Sequence, residues 1–416
     1  MKPGYPARGR TLAVDVFSRS PARKLLRAWA CLAASAALVG SPALAADPPD
    51  AGALDAVVAR AMAATGSRGL AVAVIDRGRV AYVRTYGVRD GAGRPLERDT
   101  VMYAASLTKA AFAYLVMQLV DEGRLDLDRP LASYLPAPLP SYSGEDRYAS
   151  WNDLDGDERW RRVTARHVLT HATGFANFGF LEPDGKLRFH FEPGGRYGYS
   201  GDGFILLQFV LERGLGLDVG EEMRRRIFER FGMTRTSMMW RADFAENLAD
   251  GWRLDGTVEP HDERSTPRAA GSMDSTIADL ARFVAGYVRG DGLTRASRAA
   301  LVRPQLPITT ASQFPSLQPE APPGRRHAGL AAGLGVIAFT GPKGPGFMKG
   351  GHNDSTANML VCLERSQRCV LLLSNDVRSE PAFPRLVAFV LGETGLPWEW
   401  EYGGMSFWKD AGGARR

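Results

Sequence analysis

Short β-branched, apolar runs sit near both ends of this chain with a long stretch of helical periodicity between them, and no other feature restricts its fold as much. Residues 70–75 and 80–86 are separated by Asp76-Arg77-Gly78-Arg79, the pattern of a hairpin. A helix over 54–64 precedes it, with apolar residues at helical spacing. Toward the other end, residues 334–339, 357–363 and 369–374 read as three further strands, followed by an apolar helix over 383–391. The intervening residues, 106 to about 303, are mostly helical in pattern, with candidates at 110–120, 205–211, 221–231 and 277–288. An α/β (α+β) fold follows: an antiparallel sheet drawn from both termini, flanked by helices, with a mostly helical region inserted between its halves. One domain over 46–400 is expected, its sheet part about 54–100 and 330–395 and its helical part about 101–329, with a polar tail at 401–416. Segments 136–160 and 305–323, rich in Pro, Ser and other turn formers, read as long surface insertions, and no internal repeat is visible.

Charge removes one class of partner. The net charge is +6, and residues 1–45 alone carry that excess, with Lys2, Arg8, Arg10, Arg19, Arg23, Lys24 and Arg27 against Asp15. The remainder balances 45 basic against 45 acidic residues, so nucleic acid is not expected as a partner. After Arg27 comes an apolar run of 12 residues, 28–39, and then small residues around Ala43-Leu44-Ala45, the order of an export signal. Twelve residues are too few to span a bilayer comfortably; an uncleaved anchor is the alternative. Residues 1–45 are therefore read as a signal peptide, and the mature protein as periplasmic or secreted, with no stable membrane span after cleavage.

Beyond the leader only Cys362 and Cys369 remain, and they flank a turn centred on Arg365 and Ser366. They either face one another as a disulfide in an oxidising compartment or stay as two buried thiols. Metal chemistry finds little support. His167-x-x-x-His171 lacks the Glu that follows the first His of a metalloprotease helix. Asp153-Leu154-Asp155-Gly156-Asp157 has Thr164 at position 12, where a calcium loop needs a bidentate Glu. No metal and no cofactor are expected, and the composition leaves the oligomeric state open.

The tetrapeptide Ser106-Leu107-Thr108-Lys109 stands at the head of the apolar run 110–120, so Ser106 falls in the first turn of a helix and Lys109 projects from the same face. A serine hydroxyl needs a base to become a nucleophile, and a lysine amine serves when burial and a helix N-terminus keep it neutral. Alone, the spacing is equally that of a helix start with a solvated lysine. Residues 107–136, then Val168-Leu169-Thr170-His171-Ala172-Thr173-Gly174, then the run 193–203 containing Tyr199-Ser200-Gly201, then 227–233, resemble the serine β-lactamase and penicillin-binding protein superfamily. The likeness is to its class C β-lactamase, DD-peptidase and esterase branch. It continues through the glycine-serine turn Gly271-Ser272 before a helix and through Lys349-Gly350-Gly351 before a strand, covering about 54 to 391.

That resemblance implies a serine hydrolase acting through an acyl-serine intermediate on a small-molecule or peptidoglycan-type ester or amide, with Ser106 as nucleophile and Lys109 as its activator. Tyr199 would be a second base, its phenolate favoured by the Lys109 and Lys349 ammonium groups, the alternative being a core aromatic under the helix at 205–211. Lys349 takes the place of the lysine in the family's Lys-Thr-Gly, Gly350 and Gly351 let the strand edge pass close to substrate, and the backbone N–H groups of Ser106 and His352 would form the oxyanion hole. His171 reads as a structural residue bonding a loop backbone, and His352 and Asn353 as donors in the site or surface polar groups. Two departures matter. Gly201 stands where β-lactamases often carry an Asn amide, and Gly350 replaces a Thr hydroxyl that helps hold a substrate carboxylate. Both argue against efficient β-lactam hydrolysis and favour esters, with Phe178, Phe180, Phe189 and Phe191 either lining an acyl pocket or packing in the core. A penicillin-binding receptor that is acylated with little turnover is the alternative. An α/β-hydrolase elbow is excluded because Gly198-Tyr199-Ser200-Gly201-Asp202 lacks the final glycine.

Overall fold

Alternation along Gly69–Asp76 decides how the molecule is layered. Leu70, Val72 and Val74 join one buried cluster and Ala71, Ala73 and Ile75 the other, so this strand is covered on both faces. The computed structural model describes residues 50–144 and 148–409; the expected leader lies outside them. An eight-stranded antiparallel sheet is built from β1 (Gly69–Asp76), β2 (Arg79–Gly87), β3 (Leu306–Pro307), β4 (Ala331–Ala332), β5 (Ile337–Gly341), β6 (Gly344–His352), β7 (Ala357–Leu363) and β8 (Arg368–Ser374). Its order is β2-β1-β8-β7-β6-β5-β4-β3, so the N-terminal hairpin pairs with the C-terminal β8 in the register Leu70↔Ser374 to Ile75↔Cys369. The sheet drawn from both termini is thus present.

One face is covered by α1 (Ala51–Thr65) and α5 (Phe383–Leu391), which bury Leu54, Val57, Val58, Phe383, Leu386 and Val387 against Val72, Val370 and Leu372. Asp50 caps α1 by accepting from Ala53 N–H at 3.0 Å, and Gly66 ends it in the left-handed conformation at φ 69°. The opposite face packs on α2 (Leu107–Asp121) and α4 (Ile277–Arg289). Every residue of α2 from Leu107 to Leu119 is buried, which is why its sequence is apolar apart from Thr108, Lys109 and Gln118. Each fully buried Leu or Phe in such a layer contributes about 1.5–3 kcal/mol.

Four expectations change. The expected strand at 334–339 is β5, Ile337–Gly341, and the run containing Lys349-Gly350-Gly351 is itself part of a strand, β6, rather than standing before one. Its seven-pair ladder with β7, Gly346↔Leu363 to His352↔Ala357, overrides the poor strand propensity of Gly344, Gly346, Gly350 and Gly351. The inserted region is less helical than its periodicity suggests: residues 122–200 hold short 3₁₀ turns and the five-residue helix Ala165–Leu169 before α3 (Gly201–Leu215). The helix expected at 221–231 is Val219–Met223 running into a π-helical turn at Arg224–Glu229. Finally, residues 401–409 are not a polar tail. Helix α6 (Trp398–Glu401) buries Trp400 and Glu401 to 0 and 3% exposure, and Tyr402, which caps it, is 6% exposed.

Cys362 and Cys369 are directly opposed in the β7–β8 hairpin and joined by a disulfide with Cα atoms 4.1 Å apart. Of the two alternatives left open by spacing, the bridge is the one present. Among the described residues no helix is long and apolar enough to cross a membrane.

Candidate active site

Ser106 is the N-cap of α2, but its hydroxyl makes no capping hydrogen bond. The residue before it, Ala105, sits at φ 48°, a left-handed conformation that a side chain disfavours by roughly 1–2 kcal/mol. This turn carries the Ser106 side chain into a cavity of about 770 Å³ lined by Lys109, Tyr199, Lys349, Gly350, Gly351 and Glu401 among others. The wall contains the seven residues that the sequence reading gave to catalysis and the oxyanion side of the site: Ser106, Lys109, Tyr199, Lys349, Gly350, Gly351 and His352.

Lys109, one turn along α2, places Nζ 3.0 Å from Ser106 Oγ and donates to the Ala270 carbonyl. It is 1% exposed. Burial, helped by the nearby Lys349 charge, holds its pKa well below the usual lysine value, so the neutral amine is the accessible form. Tyr199 OH donates to Ser106 Oγ at 2.8 Å. With the amine neutral, the serine proton can lie on the Nζ lone pair while the phenol donates to the serine oxygen, leaving Oγ polarised from both sides.

Tyr199 differs from expectation in one respect. Lys109 and Lys349 do flank its ring, with Nζ atoms 5.0 and 5.3 Å from the centroid. Burial nevertheless outweighs them and drives its pKa well above the ordinary phenol value, so the resting residue is a phenol rather than a phenolate. Its place is set by Ser200, the N-cap of α3, whose Oγ accepts from Gly203 N–H at 3.0 Å and donates to Ala176 O at 2.8 Å. His171 accepts from Ser200 N–H at Nδ1, 3.1 Å, and stacks on Tyr199 at 4.2 Å, a positioning contact of the kind expected of it.

Lys349 points in from β6 and donates to its neighbour Gly350 O at 2.7 Å. Burial lowers its pKa to about 8, against the opposing pull of Glu401. Gly351 is a contact position: a Cβ there would lie 3.0 Å from Ala104 O, Ser106 N and Leu107 N, all backbone atoms. The His352 side chain turns toward Glu380, with Nδ1 3.1 Å from Oε1. Asn353 Oδ1 accepts from Ser355 N–H at 3.1 Å within the turn after β6.

Neither substituted glycine leaves a vacancy. A Cβ on Gly201 would collide with the ring of Phe178, and a Cβ on Gly350 would collide with Glu401 Oε1. Of the four phenylalanines, Phe178 and Phe180 line the cavity and stack at 5.1 Å, whereas Phe189 packs on Phe175 at 4.6 Å inside the core. Phe191 lies against Gly198 and is not part of the wall. Glu401 escaped the sequence reading, as did Gln313, which donates to Glu401 Oε2 at 2.6 Å and accepts from Tyr197 OH at 2.8 Å. Only the aromatic cluster Trp398, Trp400 and Tyr402 hinted that the last segment is packed and not a tail. No group of three or more His, Cys, Asp or Glu among the described residues is placed to hold a metal ion.

The Beta-lactamase family model matches residues 54–391. Esterase EstB of Burkholderia gladioli is 34% identical over 163 residues, 39% of this chain and 36% of that protein, so the matched stretch spans about a third of EstB. The D-alanyl-D-alanine-carboxypeptidase/endopeptidase AmpH of Escherichia coli K12 is 27% identical over 293 residues, 68% of this chain and 73% of its own length. Among solved structures, the octameric penicillin-binding protein homologue of Pyrococcus abyssi superposes with a TM-score of 0.65 at 21% identity, covering 83% of this chain and 78% of that one.

Proposed function

The chain belongs to the β-lactamase family, and from that membership we propose that it is an exported serine hydrolase that cleaves esters with an apolar acyl group through an acyl-Ser106 intermediate. The observation that supports this best is the placement of Ser106 Oγ between Lys109 Nζ at 3.0 Å and Tyr199 OH at 2.8 Å on the cavity wall. In acylation Oγ attacks the ester carbonyl and its proton passes to the neutral Lys109 amine. The oxyanion is held by the backbone N–H groups of Ser106 and His352. Tyr199 then gives its proton to the departing alkoxide and recovers one from the Lys109 ammonium, so the phenolate exists only between two cations and only transiently. In deacylation water attacks the acyl carbon, its proton is taken by Lys109, and Ser106 Oγ leaves with a proton returned from the same group.

Substrate preference follows from what fills the two glycine positions. An aromatic ring lies where an amide would contact an acylamide side chain, and a carboxylate where a hydroxyl would hold a substrate anion. Activated esters need neither contact, because their reactivity and the oxyanion hole carry acylation. The relative EstB is an esterase by name. A second reading, a penicillin-binding protein or D-alanyl-peptide hydrolase that is acylated and turns over slowly, draws on the likeness to AmpH.

Intact-mass spectrometry after incubation with a fluorophosphonate is expected to show one adduct that is absent in Ser106→Ala; labelling that survives the substitution would sink the assignment. Multiple turnovers of p-nitrophenyl butyrate separate the hydrolase from the slow receptor. A kcat/KM for a cephalosporin above about 10⁵ M⁻¹s⁻¹ would restore the β-lactamase reading. Export through cleavage after Ala45 rests on the leader pattern of residues 1–45. N-terminal sequencing of the exported form is expected to begin near Ala46, and a start before Ala28 would overturn it.

A further inference from the structure

The carboxylate of Glu401 comes from a part of the chain that sequence reading assigned to a tail, and it ends on the strand edge beside the nucleophile. Helix α6 carries it there because Trp400, its neighbour, is fully buried and makes Nε1–H donate to Thr310 Oγ1 at 3.2 Å. Glu401 is itself 3% exposed and part of the cavity wall. Its Oε2 accepts from Gln313 Nε2 at 2.6 Å, and Gln313 is held in turn by Tyr197 OH at 2.8 Å. Oε1 rests against Gly350, in the space that any side chain at this position would occupy. The glycine and the glutamate are therefore complementary: with a residue larger than glycine at 350, Glu401 has no room.

We propose that Glu401 is a specificity-determining residue that makes the Lys349–Gly350 side of the cavity reject anionic substrate groups, selecting substrates that are neutral or cationic next to the scissile bond. The proposal rests on the serine-hydrolase reading above. A lysine alone at this edge would attract a carboxylate, and Lys349 is one of two buried lysines in the wall. Burial raises the Glu401 pKa, while the Lys349 and His352 charges and the Gln313 hydrogen bond favour its ionised form. As a carboxylate fixed beside Lys349 it offsets that attraction, and in a partly desolvated site a second carboxylate brought against it meets like-charge repulsion that water screens poorly. The Gln313 and Tyr197 bonds hold Glu401 in place, so it cannot swing aside to admit the anion. Discrimination here comes from a repulsive element and not from a missing attraction, so restoring a hydroxyl at 350 would not by itself recover anion binding.

The test compares matched esters in the full-length protein. p-Nitrophenyl acetate is set against 5-acetoxy-2-nitrobenzoate, which adds a carboxylate to the leaving group, and p-nitrophenyl butyrate against mono-p-nitrophenyl glutarate, which adds one to the acyl chain. For each pair the ratio of anionic to neutral kcat/KM is read within one protein, so loss of folded enzyme cancels. Glu401→Gln is expected to raise the ratio at least tenfold in one pair, and Glu401→Asp to leave it near the parent value. A ratio that moves less than twofold in both pairs for Glu401→Gln overturns the proposal. Should both variants fail to fold, the parent decides: ratios below about 0.1 in one pair support the proposal, and ratios near or above 1 in both overturn it. A parent that hydrolyses no neutral ester and takes no fluorophosphonate label overturns the hydrolase reading instead, a different outcome from an unchanged ratio.

Discussion

A buried lysine can act as a base only because its surroundings make the ammonium unfavourable, and here a second lysine contributes to that. Burial is the larger cause of the low Lys109 pKa and the charge on Lys349 the second. The amine must be neutral to take the serine proton, so activity falls as pH drops through the Lys109 pKa. In Lys349→Met that second cause is removed and the Lys109 pKa rises, so the acidic limb of kcat/KM for p-nitrophenyl butyrate is expected to move to higher pH in the residual activity. A limb that stays in place would show that Lys349 does not act on Lys109. Gly351 is the second residue whose role is decided by a single distance. In Gly351→Ala the new methyl would press at 3.0 Å on the backbone of Ala104, Ser106 and Leu107, which cannot give way as a flexible side chain would. A misplacement of this kind near the reacting atoms costs about 10²-fold, so kcat/KM is expected to fall at least that far with little loss of secondary structure by circular dichroism. A loss under threefold would mean that the strand and the nucleophile turn move independently.

Elements meet the site through their ends. Helix α2 supplies Ser106 from its N-terminus, α3 follows directly on Tyr199, and β6 brings Lys349, Gly350 and Gly351 past both. β6 is held on one side by β5 and on the other by β7, which the Cys362–Cys369 bridge ties to β8. So short a loop stabilises by about 2 to 3 kcal/mol on the chain-entropy account. Cys362→Ala/Cys369→Ala is therefore expected to lower the urea midpoint with an unchanged m-value, and the denatured parent to show no free thiol at these two positions. Two titratable thiols in the parent would remove the bridge.

At the scale of the whole molecule, the final helix belongs to the cavity that lies across the sheet edge. Ending the chain at Pro397 removes Trp400, Glu401 and Tyr402 from the core and the wall, and burial of a tryptophan alone is worth about 3–5 kcal/mol. The truncated protein is expected to melt well below the parent in differential scanning calorimetry; an unchanged melting temperature would show that the segment is dispensable. Much of this organisation was legible in one dimension. Alternating strands near both ends, the largely apolar run of a buried helix, and Ser106-x-x-Lys109 at its head follow from periodicities of 2 and 3.6 and from the reach of a side chain one turn along, which are local properties of the chain. The resemblance carried by the ordered motifs extended this to Tyr199 and Lys349. What it could not carry was the protonation of Tyr199, because burial on every side, and not the two neighbouring cations, sets it. Nor did periodicity place β6 among the strands, since its glycines are poor strand formers and only the ladders with β5 and β7 hold them extended. Glu401 was hidden for the same reason. It lies about 50 residues from Gly350 in sequence, and only packing of Trp400 brings its carboxylate into the space that the glycine leaves open. The sequence by itself determined the layers and the pairing of Ser106 with Lys109, because these depend on near neighbours. Tertiary structure alone decided the burial that shifts the titrating groups and the residues that line the cavity, because burial and long-range contact exist only once the chain has closed on itself.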